Sequence, residues 1–551
     1  MTTNSLFYSP TAEKRLGKLI AQISRILLAI AIAVMLIHTV IYLAYGIALI
    51  PFPFDYDQGE GHELNNAILF SQGDCPYCSP DEFPFYVSNY PPVFHLIMTP
   101  FVWLFGPQFW YGRLIVFLGT LITTTAIGWA VWRHGRWLSV SVLAALAFLA
   151  SNYIYHIGPL LRQHLLMVMF ETVAIVVLAP AFERNAKERR WRLLLGFGLL
   201  LIAGYTKQLA YTTCIAAALW VFLRNPRTAI IYSLGLGATA AAIFLGWHLV
   251  TDGYWTINLI TSNQNPYITD QYTGLLIQFV RLHWPLLLMA AATILYELYR
   301  TRLSIYSIWF VISALSTIQA GKWGAGDSYF ATTIVAMCIL AGHFITLARR
   351  QSSPRTPLST SATYTRRILT LIGLVLFVIY GLTAIKLPTS GPIFGPIASA
   401  LNITPQAGHR YPLYDAAGWT VGYAVTGHHP SAQDYANGWK LVDLIRQTDG
   451  YVMTEDVGFM IQADRPVISN GVQLYNLWLN DEYDPTELIT LIESHEFGLI
   501  VLRGRFYPEP VLIAIAEHYW VSETMPINGF DYELWRPKPD ISFTHQAAEE
   551  S

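Results

Sequence analysis

A short acidic stretch near the start of the chain contains the first residues that could act as catalytic groups. Residues 54–63 (FDYDQGEGHE) follow closely on a long apolar run. A carboxylate there could remove a proton from a substrate, and Gly59 and Gly61 allow the backbone to turn tightly. A solvated acidic surface is the alternative interpretation. The candidate residues of the stretch are Asp55, Asp57, Glu60 and His62.

Polar residues also interrupt the later apolar segments, where an ionisable group is costly and points to a functional site. They fall at separate turns, all predicted at the same end of the helices as the acidic stretch. Fixed cations there could bind the phosphate of an anionic lipid headgroup. Snorkelling side chains at helix ends are the alternative. The candidates are Arg162, His164, Lys207, Lys322 and Asp327.

Two other groups of residues allow simpler interpretations. Arg113 and Glu171 lie inside apolar segments and are expected to pair with each other or with neighbouring polar groups. Cys75 and Cys78 predict a local disulfide that holds the loop around them.

A metal site is a weaker hypothesis for the acidic stretch. His62 and His95 could join Asp57 and Glu60 as ligands, but their spacing is not a recognised metal-binding pattern. Lone histidines are more often hydrogen-bonded than bound to a metal. We therefore predict no metal site and no certain cofactor, with a divalent metal as the alternative.

The composition indicates a chain that crosses a membrane repeatedly. Of its 551 residues, 54% are hydrophobic and 13% are charged, whereas about 25% are charged in soluble proteins. A soluble globular fold is therefore excluded. The net charge of −2, with basic residues in short clusters, argues against nucleic acid as a partner. Apolar stretches long enough to span, at roughly 20 residues each, predict about eleven transmembrane helices. They lie near 20–50, 109–132, 138–160, 163–182, 191–207, 209–223, 229–250, 274–298, 304–321, 328–347 and 368–387.

Charge alternates across the connections between these stretches. Lys and Arg cluster in alternate connections, and none occurs between Arg25 and Arg113. The positive-inside rule therefore places the N-terminus in the cytoplasm and the acidic stretch outside. Residues 91–106 are apolar but short and contain Pro100, so we predict a helix lying on the outer face.

The character of the sequence changes after Pro388. Residues 389–551 are polar and acidic in balance, and an odd number of preceding spans predicts that they lie outside the cytoplasm. Apolar β-type runs at Tyr451–Thr454, Leu499–Leu502 and Tyr532–Trp535 alternate with helical runs, which favours a small α/β domain. The predicted fold is a multi-pass α-helical membrane domain (1–388, with a first outer loop at 51–108) and an extracytoplasmic α/β domain (389–551).

Several short motifs resemble the opening of the GT-C superfamily of membrane glycosyltransferases, which includes protein O-mannosyltransferases and the lipid A aminoarabinose transferase. They are Asp55–Gly61 (DYDQGEG), Ser88–Val93 (SNYPPV), Leu104–Pro107 (LFGP) and Tyr111–Arg113 (YGR). Two later segments resemble uncharacterised bacterial members, namely Thr206–Gln208 (TKQ) and Gly321–Ala325 (GKWGA). In layout, the resemblance covers most of residues 20–350.

The resemblance implies a plasma-membrane glycosyltransferase that takes a sugar from a polyprenyl-phosphate donor and inverts its anomeric carbon. An acid of the first outer loop would be the base or would help to hold a metal. This acid is Asp57 or Glu60, because Gln58 departs from the common Asp-Glu pair. Tyr90 could stack on the sugar, and the acceptor would be a hydroxyl of a lipid, glycan or protein, with membrane lipids around the chain. The lipid-phosphate leaving group would be stabilised by Arg162, Lys207 and Lys322.

The main alternative from another class is a multi-pass transporter or flippase of a lipid-linked or small polar substrate, since membrane charges can also line a pathway. No internal repeat is evident, and the polar residues cluster at one end of the predicted helices. A polysaccharide polymerase or ligase is a second alternative, but such enzymes typically have their main loop late in the chain, and the early loop here argues against it. A structural or interaction role for the C-terminal domain, with the membrane part as an anchor only, is a third, but about eleven spans are more than an anchor needs.

Overall fold

The computed structural model describes residues 10–349, 360–405, 412–416 and 426–539. Up to residue 383 the described chain is almost entirely helical, because backbone polar groups inside a bilayer must be satisfied within the segment itself. The helices are α1 (Pro10–Leu49), α2 (Glu60–Gln72), α3 (Val93–Phe105), α4 (Phe109–Gly135), α5 (Leu138–Ala150), α6 (Asn152–Ile157), α7 (Gln163–Leu178), α8 (Ala186–Thr206), α9 (Tyr211–Phe222), α10 (Pro226–Val250), α11 (Tyr254–Leu259), α12 (Thr269–Arg300), α13 (Ile305–Ser316), α14 (Ala331–Arg349) and α15 (Thr360–Thr383).

The multi-pass helical fold predicted from the sequence is confirmed. Within the described ranges, seven helical segments are long and apolar enough to cross a membrane, and they are Arg15–Leu49, Phe109–Gly135, Gln163–Glu183, Pro226–Val250, Thr269–Arg300, Asp327–Leu347 and Tyr364–Thr383. The other four predicted spans are also helical but fall short of this criterion. The stretch 138–160 is divided after Ala150, and α9 and α13 have 12 residues each. The helix α8 has 21 residues, but the basic residues in its first two turns shorten its apolar stretch.

Side-chain caps begin several helices at one end of the bundle. Asn185, Asn225 and Ser304 each accept a hydrogen bond from a backbone N–H in the first turn of α8, α10 and α13. Such caps satisfy donors that a helix start otherwise leaves unpaired. The opposite ends of α8 and α10 reach the loop 51–108, since the Gln208 side chain donates to the Asn89 carbonyl at 3.4 Å and the Trp247 ring lies 5.5 Å from that of Tyr77.

The loop 51–108 contains two helices of its own. The apolar stretch 91–106 forms α3, whose 13 residues are too few to span. Trp103, Leu104 and Phe105 are all more than half exposed, as an amphipathic helix at a bilayer surface requires. Its position on the outer face stays a prediction. The predicted disulfide is absent, because Cys75 and Cys78 are free thiols.

The chain after residue 383 has the mixed α/β character that the sequence predicts. Its elements are β1 (Lys386–Pro388), α16 (Phe394–Ala400), β2 (Leu413–Asp415), α17 (Ala432–Gln447), β3 (Tyr451–Thr454), α18 (Gly458–Gln462), α19 (Gly471–Trp478), α20 (Thr486–Glu493), β4 (Phe497–Leu502), α21 (Glu509–His518), β5 (Tyr519–Ile527) and β6 (Phe530–Pro537). The larger sheet has the order β3-β4-β6-β5, with β3 and β4 parallel and the other pairs antiparallel. The three predicted β-runs lie in β3, β4 and β6.

The α/β part packs directly on the loop 51–108. The Phe54 ring lies 5.2 Å from the rings of both Trp439 and Phe459. The Asn470 side-chain amide donates to the Val87 carbonyl at 2.9 Å. Burial of aromatic surface against the loop and this hydrogen bond together hold the α/β part over one end of the helical bundle.

Candidate functional site

One cavity collects most of the residues singled out from the sequence. It has a volume of about 380 Å³ and lies between the loop 51–108, several helix ends and the α/β part. Six of the sequence candidates line it, and they are Asp57, His62, Tyr90, Arg162, Lys207 and Lys322. The candidates outside its lining are Asp55, Glu60, His164 and Asp327.

Asp57 presents a carboxylate to this cavity beside Arg162. The turn before α2 depends on Gly59, whose φ is 93° and whose absent Cβ would lie 2.1 Å from Arg162 Nη1. Arg162 Nε lies 3.5 Å from Asp57 Oδ2, and the two side chains are 20% and 17% exposed. Burial raises the pKa of Asp57 to about 7, although Arg162 opposes that rise. A reachable carboxylate that titrates near neutrality is suited to general base chemistry.

Glu60 is engaged beneath the loop, away from the cavity. It is completely buried, and its carboxylate accepts hydrogen bonds from Arg113 Nε at 3.0 Å and Nη2 at 2.7 Å. It also accepts the backbone N–H groups of Leu161 at 2.6 Å and Tyr56 at 2.8 Å. Although burial alone would raise it, the Arg113 guanidinium lowers the pKa of Glu60. These contacts make Glu60 the residue that fastens the loop to α4.

The two charges inside apolar segments pair with neighbours and not with each other. Arg113 pairs with Glu60 and also donates to the Leu49 carbonyl at 3.0 Å. Glu171 accepts hydrogen bonds from Thr213 Oγ1 at 2.6 Å and Thr332 Oγ1 at 2.8 Å. The sequence left open whether Arg113 and Glu171 pair with each other or with neighbouring polar groups, and the structure shows the second arrangement.

Asp55 joins the acidic loop to the α/β part. Its carboxylate accepts the backbone N–H of Gly61 at 2.5 Å and that of Gly458 at 2.7 Å. Burial raises the pKa of Asp55 well above its usual range, and the neighbouring Asp456 raises it further. A Cβ on Gly458 would lie 2.2 Å from Asp55 Oδ2, so this close approach requires glycine. Asp55 therefore positions the loop.

His62 lines the cavity, but the hypothetical metal ligands are not assembled around it. Burial lowers the pKa of His62 to about 3, so its ring is neutral. His95 pairs with Glu63 at 2.6 Å, and Glu60 pairs with Arg113. Within the described ranges, no three His, Cys, Asp or Glu side chains are arranged to hold a metal ion. These residues do not fit a divalent metal, and no chemical step is assigned to one.

Lys207 and Lys322 bring positive charge to the cavity from two different turns. Lys207 follows α8, and its Nζ lies 4.8 Å from the centre of the Tyr90 ring and 5.3 Å from that of Tyr329. Ammonium groups are attracted to aromatic faces, so both rings support this lysine. Lys322 follows the 3₁₀ turn Thr317–Gly321 and is half-buried.

His164 and Asp327 lie behind the cavity wall. His164 is 4% exposed, and its ring centre lies 5.6 Å from that of Tyr329. Asp327 is 2% exposed and begins the 3₁₀ turn Asp327–Phe330, which carries Tyr329. Both residues therefore support the wall near Lys207 and do not face the cavity.

Sequence reasoning missed Glu63 and the contribution of the α/β part. Glu63 lines the cavity one turn into α2, and its Oε1 lies 4.0 Å from Arg162 Nη1. Its position in the acidic stretch was the available signal. Asn470, Gln473 and Phe506 line the cavity from the α/β part, and no local motif marks them.

Carboxamide side chains form much of the remaining wall. They are Gln58, Asn89, Gln208, Asn263, Asn265, Gln271, Gln319, Asn470, Gln473 and Asn476. Several of their amide nitrogens already donate to backbone carbonyls, as Asn265 does to Trp323 at 2.6 Å and Asn476 to Ser262 at 3.2 Å. The buried amide oxygens of Gln208, Asn265 and Asn476 have no partner among the described residues. A neutral amide oxygen accepts hydrogen bonds from hydroxyl groups, so this wall suits a polyhydroxyl ligand.

Solved structures share this architecture. ArnT from Cupriavidus metallidurans superposes on the chain with a TM-score of 0.52 when bound to undecaprenyl phosphate and 0.51 in the apo state. The identities are 12% and 11%, and each comparison covers 90% of this chain and 97% of ArnT. The chain has a GT-C-like fold. The apo oligosaccharyltransferase of Archaeoglobus fulgidus matches with a TM-score of 0.48 and 11% identity, over 89% of this chain and 73% of its own. No protein-family model matches the sequence, and no curated protein matches it significantly.

The GT-C-like fold brings together motifs that are separated in the sequence. Asp57 comes from the acidic stretch, Tyr90 from the SNYPPV motif, Lys207 from the TKQ segment and Lys322 from the GKWGA segment, and all four line one cavity. Arg113 of the YGR motif lies beneath them in its pair with Glu60. Apart from LFGP (Leu104–Pro107), the motifs that carry the resemblance thus either line the cavity or hold its acidic loop.

Proposed function

We propose that this protein is an integral membrane glycosyltransferase that moves a sugar from a polyprenyl-phosphate donor to an acceptor hydroxyl. The single observation that carries the proposal is that charged side chains and neutral amide side chains line the same cavity. Two carboxylates, Asp57 and Glu63, and three cations line it together with carboxamide side chains, three of whose buried oxygens have no partner among the described residues. A phosphorylated sugar needs cations for its phosphate and hydrogen-bond acceptors for its hydroxyl groups.

Asp57 is the base in this proposal. Its carboxylate takes the proton of the acceptor hydroxyl, whose oxygen bonds to the anomeric carbon from the side opposite the phosphate. The bond between that carbon and the phosphate oxygen breaks at the same time, and the polyprenyl phosphate leaves with the electron pair. The configuration at the carbon is inverted. Asp57 is preferred to Glu60 because Glu60 is held by Arg113 and two backbone N–H groups.

The cations stabilise the departing phosphate. Lys207 and Lys322 are free of ion pairs among the described residues, and their ammonium groups can neutralise charge that develops on the phosphate oxygens. Arg162 is shared between Asp57 at 3.5 Å and Glu63 at 4.0 Å. It therefore holds Asp57 in place and adds to the positive potential. Phosphate is a good leaving group, so a general acid is unnecessary.

The likeness to ArnT supports a lipid-phosphate donor, because the ArnT crystal structure holds undecaprenyl phosphate. We assign residues 1–388 to the membrane domain and 389–551 to an α/β domain that recognises the acceptor. The acceptor is a lipid, glycan or protein. Transfer takes place on the outer face of the plasma membrane, with the N-terminus in the cytoplasm, as the distribution of basic loops indicates.

The test is turnover of labelled polyprenyl-phosphate sugars by the purified protein in lipid vesicles, with membrane extract as acceptor. Wild type should consume at least one donor and release polyprenyl phosphate. Asp57→Asn should lose this activity, whereas Gln433→Asn, on the exposed face of α17, should keep it. Movement of an intact lipid-linked or small polar substrate across the vesicle membrane, without cleavage of the sugar–phosphate bond, would replace the proposal by a transporter or flippase.

A further inference from the structure

A second cavity lies at the opposite end of the helical bundle from Asp57. It has a volume of about 460 Å³. The helix α7 begins next to Arg162 at the first cavity, and the residues after its C-terminal end line the second cavity. The helix α12 likewise runs from Gln271 at the first cavity to Glu297 at the second. The length of these helices therefore separates the two cavities.

Positive charge predominates among the charged residues that line this second cavity. Arg133, Arg224 and Arg302 reach it from three different helix ends, against the carboxylates of Glu183 and Glu297. Glu297 is engaged elsewhere, since it accepts hydrogen bonds from the Ser304 backbone N–H and the Ser307 hydroxyl, both at 2.7 Å. Its charge is thus partly satisfied by the start of α13.

Most of the guanidinium N–H groups are free to bind a ligand. Arg133 and Arg302 have no ion pair or hydrogen bond within the part of the chain that the structure describes. Arg224 uses Nη2 to donate to the Leu303 carbonyl at 2.6 Å. An arginine presents its N–H groups in a planar fork that matches the oxygens of a phosphate.

A buried histidine gives an independent sign of a missing ligand. His343 lines the cavity, is 3% exposed and stacks on His134 with a ring-centre distance of 4.1 Å. A ring nitrogen approaches the Ala130 carbonyl, but neither ring nitrogen reaches the geometry of a hydrogen bond among the described residues. Buried polar groups without partners are uncommon in native proteins and call for a ligand or an ordered water.

We propose that this second cavity binds a phosphate group, carried either by an anionic phospholipid headgroup or by free inorganic phosphate. Three arginines supply the charge, and the His343 ring supplies a hydrogen-bond donor inside the cavity. Trp220, Phe182 and Val176 line the same cavity and provide an apolar wall for carbon atoms next to the phosphate. This site is separate from the proposed sugar transfer and does not depend on it.

The first test is equilibrium binding of radiolabelled inorganic phosphate to the full-length protein in vesicles of phosphatidylcholine alone, at constant ionic strength. The double variant R133Q/R302Q removes two charges from the cavity. The double variant R227Q/R300Q is the matched control, since both of those arginines are exposed, lie at the same end of the bundle and do not line the cavity. Circular dichroism checks that both variants are folded.

We expect R133Q/R302Q to raise the Kd for one phosphate per chain at least tenfold and R227Q/R300Q to change it less than twofold. The first cavity could also bind phosphate, and K207Q/K322Q removes two of its cations. Binding of one phosphate per chain must therefore be retained in K207Q/K322Q. Vesicles with added phosphatidylglycerol distinguish the two sources. Competition by this lipid identifies a headgroup site, and its absence identifies a free-phosphate site. The proposal is overturned if wild type binds neither phosphate nor the anionic lipid, if the two arginine variants lose binding equally, or if K207Q/K322Q abolishes all binding.

Discussion

The contact between Arg162 and Asp57 predicts how the pH dependence of sugar transfer changes when its positive charge is removed. In wild type, kcat/KM should fall below about pH 7, because the pKa of Asp57 is raised to about 7 and the base acts only when deprotonated. Arg162→Gln removes the neighbouring cation that opposes this rise. The acid limb of the profile should therefore move to higher pH.

The size of the shift follows from the geometry. Unit charges separated by the 3.5 Å between Arg162 Nε and Asp57 Oδ2 interact by about 5 kcal/mol at an effective dielectric constant of about 20. This value is an upper bound, because the Arg162 side chain is 20% exposed and is shared with Glu63. A rise of about 1–3 units is therefore expected in the pKa of Asp57. At pH 7 the deprotonated fraction then falls about 5- to 500-fold, and it recovers as the pH rises through the new pKa, at about 8 to 10.

The assay is kcat/KM for donor consumption between pH 5 and 10, because this ratio reports the free enzyme. If Arg162→Gln only weakened phosphate binding, kcat/KM would fall by the same factor at every pH and the acid limb would stay in place. The assay therefore distinguishes weaker phosphate binding from a raised pKa of Asp57. Arg162→Lys keeps the charge and should shift the limb less. His62→Gln should leave it in place, since the pKa of His62 is about 3. An unmoved limb in Arg162→Gln would refute Asp57 as the titrating base.

Three further predictions concern the residues around this pair. Glu60→Gln should lower the thermal unfolding midpoint markedly, because breaking a buried ion pair costs about 3–5 kcal/mol, whereas Asp57→Asn should lose activity with a nearly unchanged midpoint. Equal midpoints would contradict this assignment. Asn476→Ala should raise the KM of the sugar substrate about 2- to 10-fold at constant kcat through loss of one hydroxyl contact, and Gln433→Ala outside the cavity should not. Gly458→Ala places a Cβ 2.2 Å from a loop carboxylate oxygen, so turnover should fall while the helical content by circular dichroism is preserved.

Much of the fold follows from patterns that act over short distances in the sequence. Apolar length predicts the helices, and alternation of apolar residues predicts β3, β4 and β6. The edge strand β5 was missed because Trp520 and Val521 are exposed and Ser522 and Glu523 interrupt the apolar pattern. Span number was less predictable, because a helix such as α5 can end after 13 residues and continue as the short α6 beyond Ser151.

The candidate site was predictable only as far as its charges stand out from an apolar background. Asp57, Arg162, Lys207 and Lys322 are visible in that way, and the fold brings them to one cavity. The different roles of Asp57 and Glu60 could not be predicted from the sequence, because they depend on Arg113, which lies 53 residues beyond Glu60 in the chain. Two carboxylates of the same loop thus have opposite environments.

The carboxamide wall was also hidden, for a different physical reason. Asn and Gln are common in surface loops, so no single one stands out until tertiary structure commits its amide nitrogen to a backbone carbonyl and leaves its oxygen unpaired within the cavity wall. Asn476 shows this, since its amide donates to Ser262 from across the boundary between the α/β part and the helical bundle. Recognition of the sugar is therefore expected to require both parts of the chain, and separating them should abolish substrate binding even where each part remains folded.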